Sequence, residues 1–155
     1  MPKVYLETTI PSYLTAWSSR DLIKAAHQQI TREWWQSRAR FELYISQLVL
    51  REASGGDVEA AKLRIETLKG IPVLALSSAA NALAEQLVQK GPLPENAVAD
   101  ALHIGIATVN GVDYLLTWNC AHLANAAIRQ RIEAICRASG YQPPILCTPE
   151  ELMEE

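Results

Sequence analysis

The sequence carries no excess of positive charge. Against 14 lysines and arginines stand 17 acidic residues, a net charge of −3, so no overall field draws the chain toward nucleic acid and such a partner must be met by local groups. The basic residues of the first half, Arg20, Lys24, Arg32, Arg38, Arg40, Arg51, Lys62 and Arg64, fall in mixed-charge stretches and read as a solvated helix surface. Cysteine is scarce. Cys120, Cys136 and Cys147 are odd in number and lack C-x-x-C spacing, which argues against a disulfide framework or a zinc knuckle and suits a reducing compartment. A zinc site drawn from Cys120, His122, Cys136 and His103 would have neither paired-cysteine nor H-x-x-x-H spacing. Long apolar runs are missing too, both the core of a signal peptide and any window able to span a bilayer, so a cytoplasmic location without membrane contact is expected. No glycine-rich phosphate loop occurs, and Gly55-Gly56 reads as a helix stop.

What is there is an ordinary globular composition, 49% hydrophobic and 20% charged over 155 residues, with no composition shift marking a linker. One domain spanning 1–155 is expected. Lys3 to Glu7 reads as a strand ending on an acid, followed by the helix-starting group Thr8-Thr9-Ile10-Pro11. From Asp21, a capping residue, Ile23, Ala26, Ile30 and Trp34 recur at the spacing of one buried helical face. Phe41–Ile45 reads as a strand, Ser46 as the cap of a helix carrying Glu52, and Asp57 as the cap of another with Ala61, Ile65 and Leu68 on one side. Pro72–Leu76 suits an edge strand, and Ser77 or Ser78 opens a helix to about Lys90. The almost wholly apolar stretch from Asn96 to Asn110 should be the most buried helix. Val112–Thr117 reads as a central strand, His122 to Ser139 as a helix, Pro143–Cys147 as the last strand, and Thr148-Pro149-Glu150 as the start of a short terminal helix.

Strands alternating with helices imply an α/β fold, a parallel β-sheet flanked by helices on both faces. Ligands of such sheets bind beyond the carboxyl ends of the strands. Glu7 and Asn119 occur there, while Glu52 and Asp100 interrupt sequence that is otherwise apolar. A buried carboxylate needs a cation, hydrogen-bond donors or a proton. Several acids meeting at strand ends repel one another, and a hard divalent ion, Mg²⁺ or Mn²⁺, relieves that repulsion while sharing its shell with substrate phosphates. The metal candidates are Glu7, Glu52 and Asp100. Each acid alone also has an ordinary use: Glu7 to cap the following helix, Glu52 to pair with a neighbour such as Arg51, Asp100 to pair with His103 one turn on.

Taken in order, four strings carry a resemblance. They are Val4-Tyr-Leu-Glu-Thr-Thr-Ile-Pro-Ser-Tyr13, Ser46-Gln-Leu-Val-Leu-Arg-Glu52, Ala99-Asp-Ala-Leu-His-Ile-Gly-Ile-Ala107 and Tyr114-Leu-Leu-Thr-Trp-Asn119, closed by Ile145-Leu-Cys-Thr-Pro-Glu-Glu-Leu152. Over nearly its full length the sequence resembles PIN domains, especially the toxin ribonucleases of toxin-antitoxin pairs. The resemblance implies metal-dependent cleavage of RNA with Mg²⁺ or Mn²⁺, a homodimer, and inhibition by a small antitoxin protein. It also implies Glu7, Glu52 and Asp100 as direct or water-mediated metal ligands, and Thr8, Thr117 and Asn119 as groups that orient ligands, water or phosphate. Two positions depart from the pattern: the first acid is Glu7 where aspartate is usual, and Asn119 stands where another aspartate is usual.

Other residues have two uses each. His103 could face the crevice or sit hydrogen-bonded within a packed helix, and His122 could contact phosphate. Trp17, Trp34, Trp35 and Tyr13 gather in the first helical region, where aromatics could form an antitoxin groove or a base-stacking platform; core packing accounts for Trp34 and an interface suits Trp35. The main alternative to an active nuclease is a catalytically weakened PIN-like module that binds protein or RNA without cutting. An acidic-crevice phosphatase or receiver-like regulator is disfavoured, since the D-x-D strand-end motif of one and the adjacent acid pair of the other are absent.

Overall fold

A computed structural model describes residues 1–153. Five strands, β1 (Lys3–Leu6), β2 (Glu42–Ser46), β3 (Val73–Leu74), β4 (Tyr114–Leu116) and β5 (Ile145–Cys147), form one sheet in the order β3-β2-β1-β4-β5. Every strand pair is parallel. The helices between them are α1 (Thr9–Thr15), α2 (Leu22–Gln36), α3 (Gln47–Ala53), α4 (Val58–Thr67), α5 (Ser78–Gln89), α6 (Val98–Val109) and α7 (Ala126–Ala138). From β1 the chain builds toward one edge through β2 and β3, then returns to lay β4 on the other side of β1. Crossovers of one hand that run in opposite directions lie on opposite faces. Accordingly α1, α2, α3 and α4 pack among themselves, as do α5, α6 and α7. Successive β1 residues Val4, Tyr5 and Leu6, which point to alternate faces, are all fully buried.

The reversal between β1 and β4 makes a switch point at their carboxyl ends, where open α/β sheets usually form a ligand crevice. Sequence caps set the helices that flank it. The side chains of Asp21, Ser46, Asp57 and Ser77 accept from the backbone N–H of Lys24, Val49, Ala60 and Ala80, each satisfying a first-turn donor with no partner inside its own helix. The α6 helix is the most buried of those described, seven of its twelve residues lying inside. Its close approach to α5 requires Gly105, where an added Cβ would lie 2.4 Å from the Ala80 carbonyl oxygen. Gly111 ends the segment with φ +69, a conformation glycine adopts without steric penalty.

Three expectations are corrected. Ile23, placed by periodicity on the buried face of α2, is 69% exposed, and the buried face is Gln28, Thr31 and Trp34. The reason is polar: Gln28 donates to the Trp17 carbonyl and accepts from Ser19 N–H, tying down the preceding loop, and Thr31 Oγ1 accepts from Trp118 Nε1. Apolar spacing cannot register such inward-facing polar groups. The helix expected from His122 begins only at Ala126, because Asn119 gathers the intervening turn, its carbonyl accepting from Leu123 N–H and Ala124 N–H. After β5, Thr148 and Glu151 exchange reciprocal side chain-to-backbone bonds, yet only turns follow among the described residues. Trp34 is fully buried against Phe41, and the partly buried Trp35 carries the Arg38 guanidinium 4.5 Å over its ring.

Gly105→Ala should destabilise the protein. The about 1 kcal/mol gained in helix propensity is outweighed by forcing two backbones apart, for a net loss of about 1–2 kcal/mol, readable as a lowered urea midpoint at unchanged slope.

Candidate active site

Glu7 directly follows β1 and is 6% exposed. Its Oε1 accepts from Thr9 N–H (3.2 Å), Thr9 Oγ1 (2.5 Å) and Thr117 Oγ1 (2.6 Å), while Oε2 takes no hydrogen bond from the described residues. Three donors on one oxygen offset the burial of the charge and leave the second oxygen for the crevice. The bond from Thr9 N–H also makes Glu7 a cap for α1, so the capping use considered for it is realised alongside any other. The same hydroxyls reach further: Thr9 Oγ1 accepts from Trp118 N–H and Thr117 Oγ1 from Asn119 N–H. Residues following β1 and residues following β4 are thereby held as one unit.

Glu52 sits on α3 at the crevice mouth, its side chain 32% exposed. Its Oε1 accepts from Thr8 Oγ1 (2.6 Å) and from His103 Nε2 (2.7 Å), and not from Arg51. Burial by itself would raise the Glu52 carboxyl, but the hydrogen bond and charge of His103 and the Thr8 hydroxyl outweigh it and hold the group below the ordinary carboxylate range. His103 is 1% exposed, and its other nitrogen, Nδ1, lies 2.6 Å from the Tyr5 hydroxyl, itself 2.8 Å from Ser46 Oγ. Desolvation drives the Tyr5 phenol far above its ordinary value, so it remains protonated.

Asp100 lies in the first turn of α6 and belongs to a separate set of contacts. Its Oδ1 accepts from Asn119 Nδ2 (2.9 Å), and its Oδ2 is 2.8 Å from His122 Nδ1. Asn119 Oδ1 in turn accepts from His122 N–H (3.1 Å). Although one helical turn apart, Asp100 and His103 take different partners. Among the described residues, the group whose potential metal-ligating atoms all lie within 4.8 Å of one another is Glu7, Glu52 and His103. Asp100 stands outside it, connected to Glu7 through Asn119 and Thr117. Both nitrogens of His103 are engaged, which makes the ring a partner of a candidate ligand more than a ligand itself.

Sequence reasoning overlooked Thr9, Tyr5, Ser46's second bond and, beside the crevice, an aromatic group of which it named only Tyr13. Trp118 stacks on His27 at 4.0 Å between centroids, with Tyr13 6.0 Å from Trp118. A second hydroxyl two residues after a strand-end acid and a tyrosine inside an apolar strand were available signals, since a buried phenol requires a partner. Nothing in the sequence marks His27.

No family model matches the sequence, and no curated protein matches it. In three dimensions the chain is similar to one in the crystal structure of VapBC2 from Rickettsia felis bound to a DNA fragment from their promoter. That pair is 18% identical, with a TM-score of 0.60 over 94% of this chain and 98% of the other. At such identity the likeness is one of fold, and the fold is PIN-like.

Two outcomes follow from this geometry. Thr117→Val keeps the shape but removes a donor to Glu7 and an acceptor for Asn119 N–H, so a loss of about 1–3 kcal/mol is expected in chemical denaturation. Because the Glu52 carboxyl is lowered in the folded state, it stabilises the protein above the unfolded carboxyl's range, and this is lost as pH falls through the folded value. In chelator, the stability advantage of wild type over Glu52→Gln should be full at neutral pH and vanish on acidification.

Proposed function

We propose that this chain is a metal-dependent endoribonuclease that cleaves RNA phosphodiester bonds with Mg²⁺ or Mn²⁺. In this reading it is a single-domain cytoplasmic protein, a homodimer, and the toxin of a toxin-antitoxin pair whose small antitoxin blocks the site. The observation that carries the reading is the convergence of Glu7, Glu52 and His103 at the carboxyl ends of a parallel sheet. The fold likeness to a VapBC2 chain supports the antitoxin partner.

The residues fit an oxygen-liganded divalent ion. Glu7 and Glu52 each direct one oxygen to protein donors, and their Oε2 atoms take no hydrogen bond from the described residues. These two acids would hold the ion, with Asp100 contributing through water. When bound, the ion supplies a water of lowered pKa and neutralises charge developing on the phosphate oxygens. The chain's own groups orient the acids: Thr8 and His103 act on Glu52, Thr117 on Glu7, and Asn119 on Asp100. His122 gives Nδ1 to Asp100 and has Nε2 for a substrate phosphate.

One observation favours the second reading, a PIN-like module that binds protein or RNA without cutting. Both Asp100 oxygens are already engaged, by Asn119 and by His122, and Asn119 adds no charge. Labelled single-stranded and structured RNA incubated with the chain in Mn²⁺, and again in EDTA, separates the two. A nuclease cuts only with the ion; a module retains RNA uncut. Asp100→Asn should abolish metal-dependent cleavage at unchanged fold, and retained activity would remove Asp100 from the site. Millimolar Mn²⁺ should raise the melting temperature through linkage; no shift would favour the module.

A further inference from the structure

A line of buried polar side chains runs behind Glu52 and begins at the cap of the helix that carries it. Ser46 Oγ caps α3 by accepting from Val49 N–H at 3.2 Å, so its own proton is free for the Tyr5 oxygen at 2.8 Å. With a neutral ring, Tyr5, on the central strand, gives its proton to His103 Nδ1 at 2.6 Å, and His103, on α6, gives its Nε2 proton to Glu52 Oε1 at 2.7 Å. Each donor in this series meets one acceptor. The opposite sense fails at the Glu52 end, where an unprotonated Nε2 would set a lone pair against carboxylate lone pairs at hydrogen-bond distance. A protonated ring also keeps its Nε2 proton on Glu52. Either way, the direction of the last bond is set.

From this polarity we infer that His103 is a positioning residue for Glu52, anchored by Tyr5 and Ser46. By holding Oε1, it leaves Oε2 for the ion; Thr8 Oγ1 donates to the same Oε1. The series joins α3, β1, β2 and α6, so the carboxylate is placed by the core and not by the crevice mouth, where its own side chain is one-third exposed. The role rests on the proposal that Glu52 holds a divalent ion. Partners of this kind, one shell behind a ligand, change metal affinity by about 10- to 100-fold when removed.

The experiment uses the full chain and Mn²⁺ as the probe. In the metal-free wild type, ¹⁵N resonances of His103 should report a protonated Nε2. By titration calorimetry, His103→Leu should bind Mn²⁺ about 10- to 100-fold more weakly. His103→Gln, which can still accept from Tyr5 and donate to Glu52, should recover part of that loss. Tyr5→Phe, which preserves the ring in the core, should weaken binding in the same direction by less. A merely structural role would lower thermal stability and leave Mn²⁺ affinity unchanged in Tyr5→Phe and both His103 variants, and that result overturns the inference. So does a wild-type ring protonated on Nδ1 alone. Wild-type protein that takes up no Mn²⁺ sinks the ion site, whereas the His103 resonances still decide by themselves whether the series orients Glu52.

Discussion

A carboxylate buried where two strands end is the constraint around which the crevice is built. Glu7 has almost no access to water, and leaving it charged there would be costly without compensating donors. Thr9 and Thr117 supply them, all on one oxygen, and each threonine hydroxyl also accepts from a backbone N–H beyond β4. The same atoms therefore stabilise the charge and lock the end of β1 to the end of β4. A divalent ion, if it binds, meets a carboxylate already oriented by the fold.

The other polar residues of the site fall into two hydrogen-bonded groups. One is Glu52 with Thr8, His103, Tyr5 and Ser46; the other is Asp100 with Asn119 and His122. This division gives a physical sense to the departure at Asn119. Its amide donates to Asp100 and its carbonyl accepts from His122 N–H. An aspartate there could still accept from His122 N–H, but it could not donate to Asp100 and would set two carboxylates against each other at hydrogen-bond distance. Asn119 thus gives Asp100 a hydrogen-bond donor in place of a second charge.

Much of the frame was legible in order along the chain. The caps at Asp21, Ser46, Asp57 and Ser77 are local chemistry, and so are the strand leading into Glu7, read one residue too long, and the small apolar helix around Asp100. Elsewhere the reading fell short for definite reasons. Ile23 looked like a core residue because apolar period was the available measure, yet Gln28 and Thr31 took the inner face for their hydrogen bonds. The helix after Asn119 starts late because a turn satisfies its backbone first.

By itself the sequence determined which groups could carry charge, where helices could begin, and that strands would alternate with helices, since all of these depend on neighbours a few residues away. Which acid meets which partner was decided only by tertiary structure. His103 and Asp100 are three residues apart, and their partners follow from how α6 packs on α5 and meets β1 at Tyr5. Docking turned one toward Tyr5 and Glu52, separated from it by 98 and 51 residues, and the other toward Asn119 and His122. Hydrogen bonds over such separations depend on the placement of whole elements, and no local pattern records that.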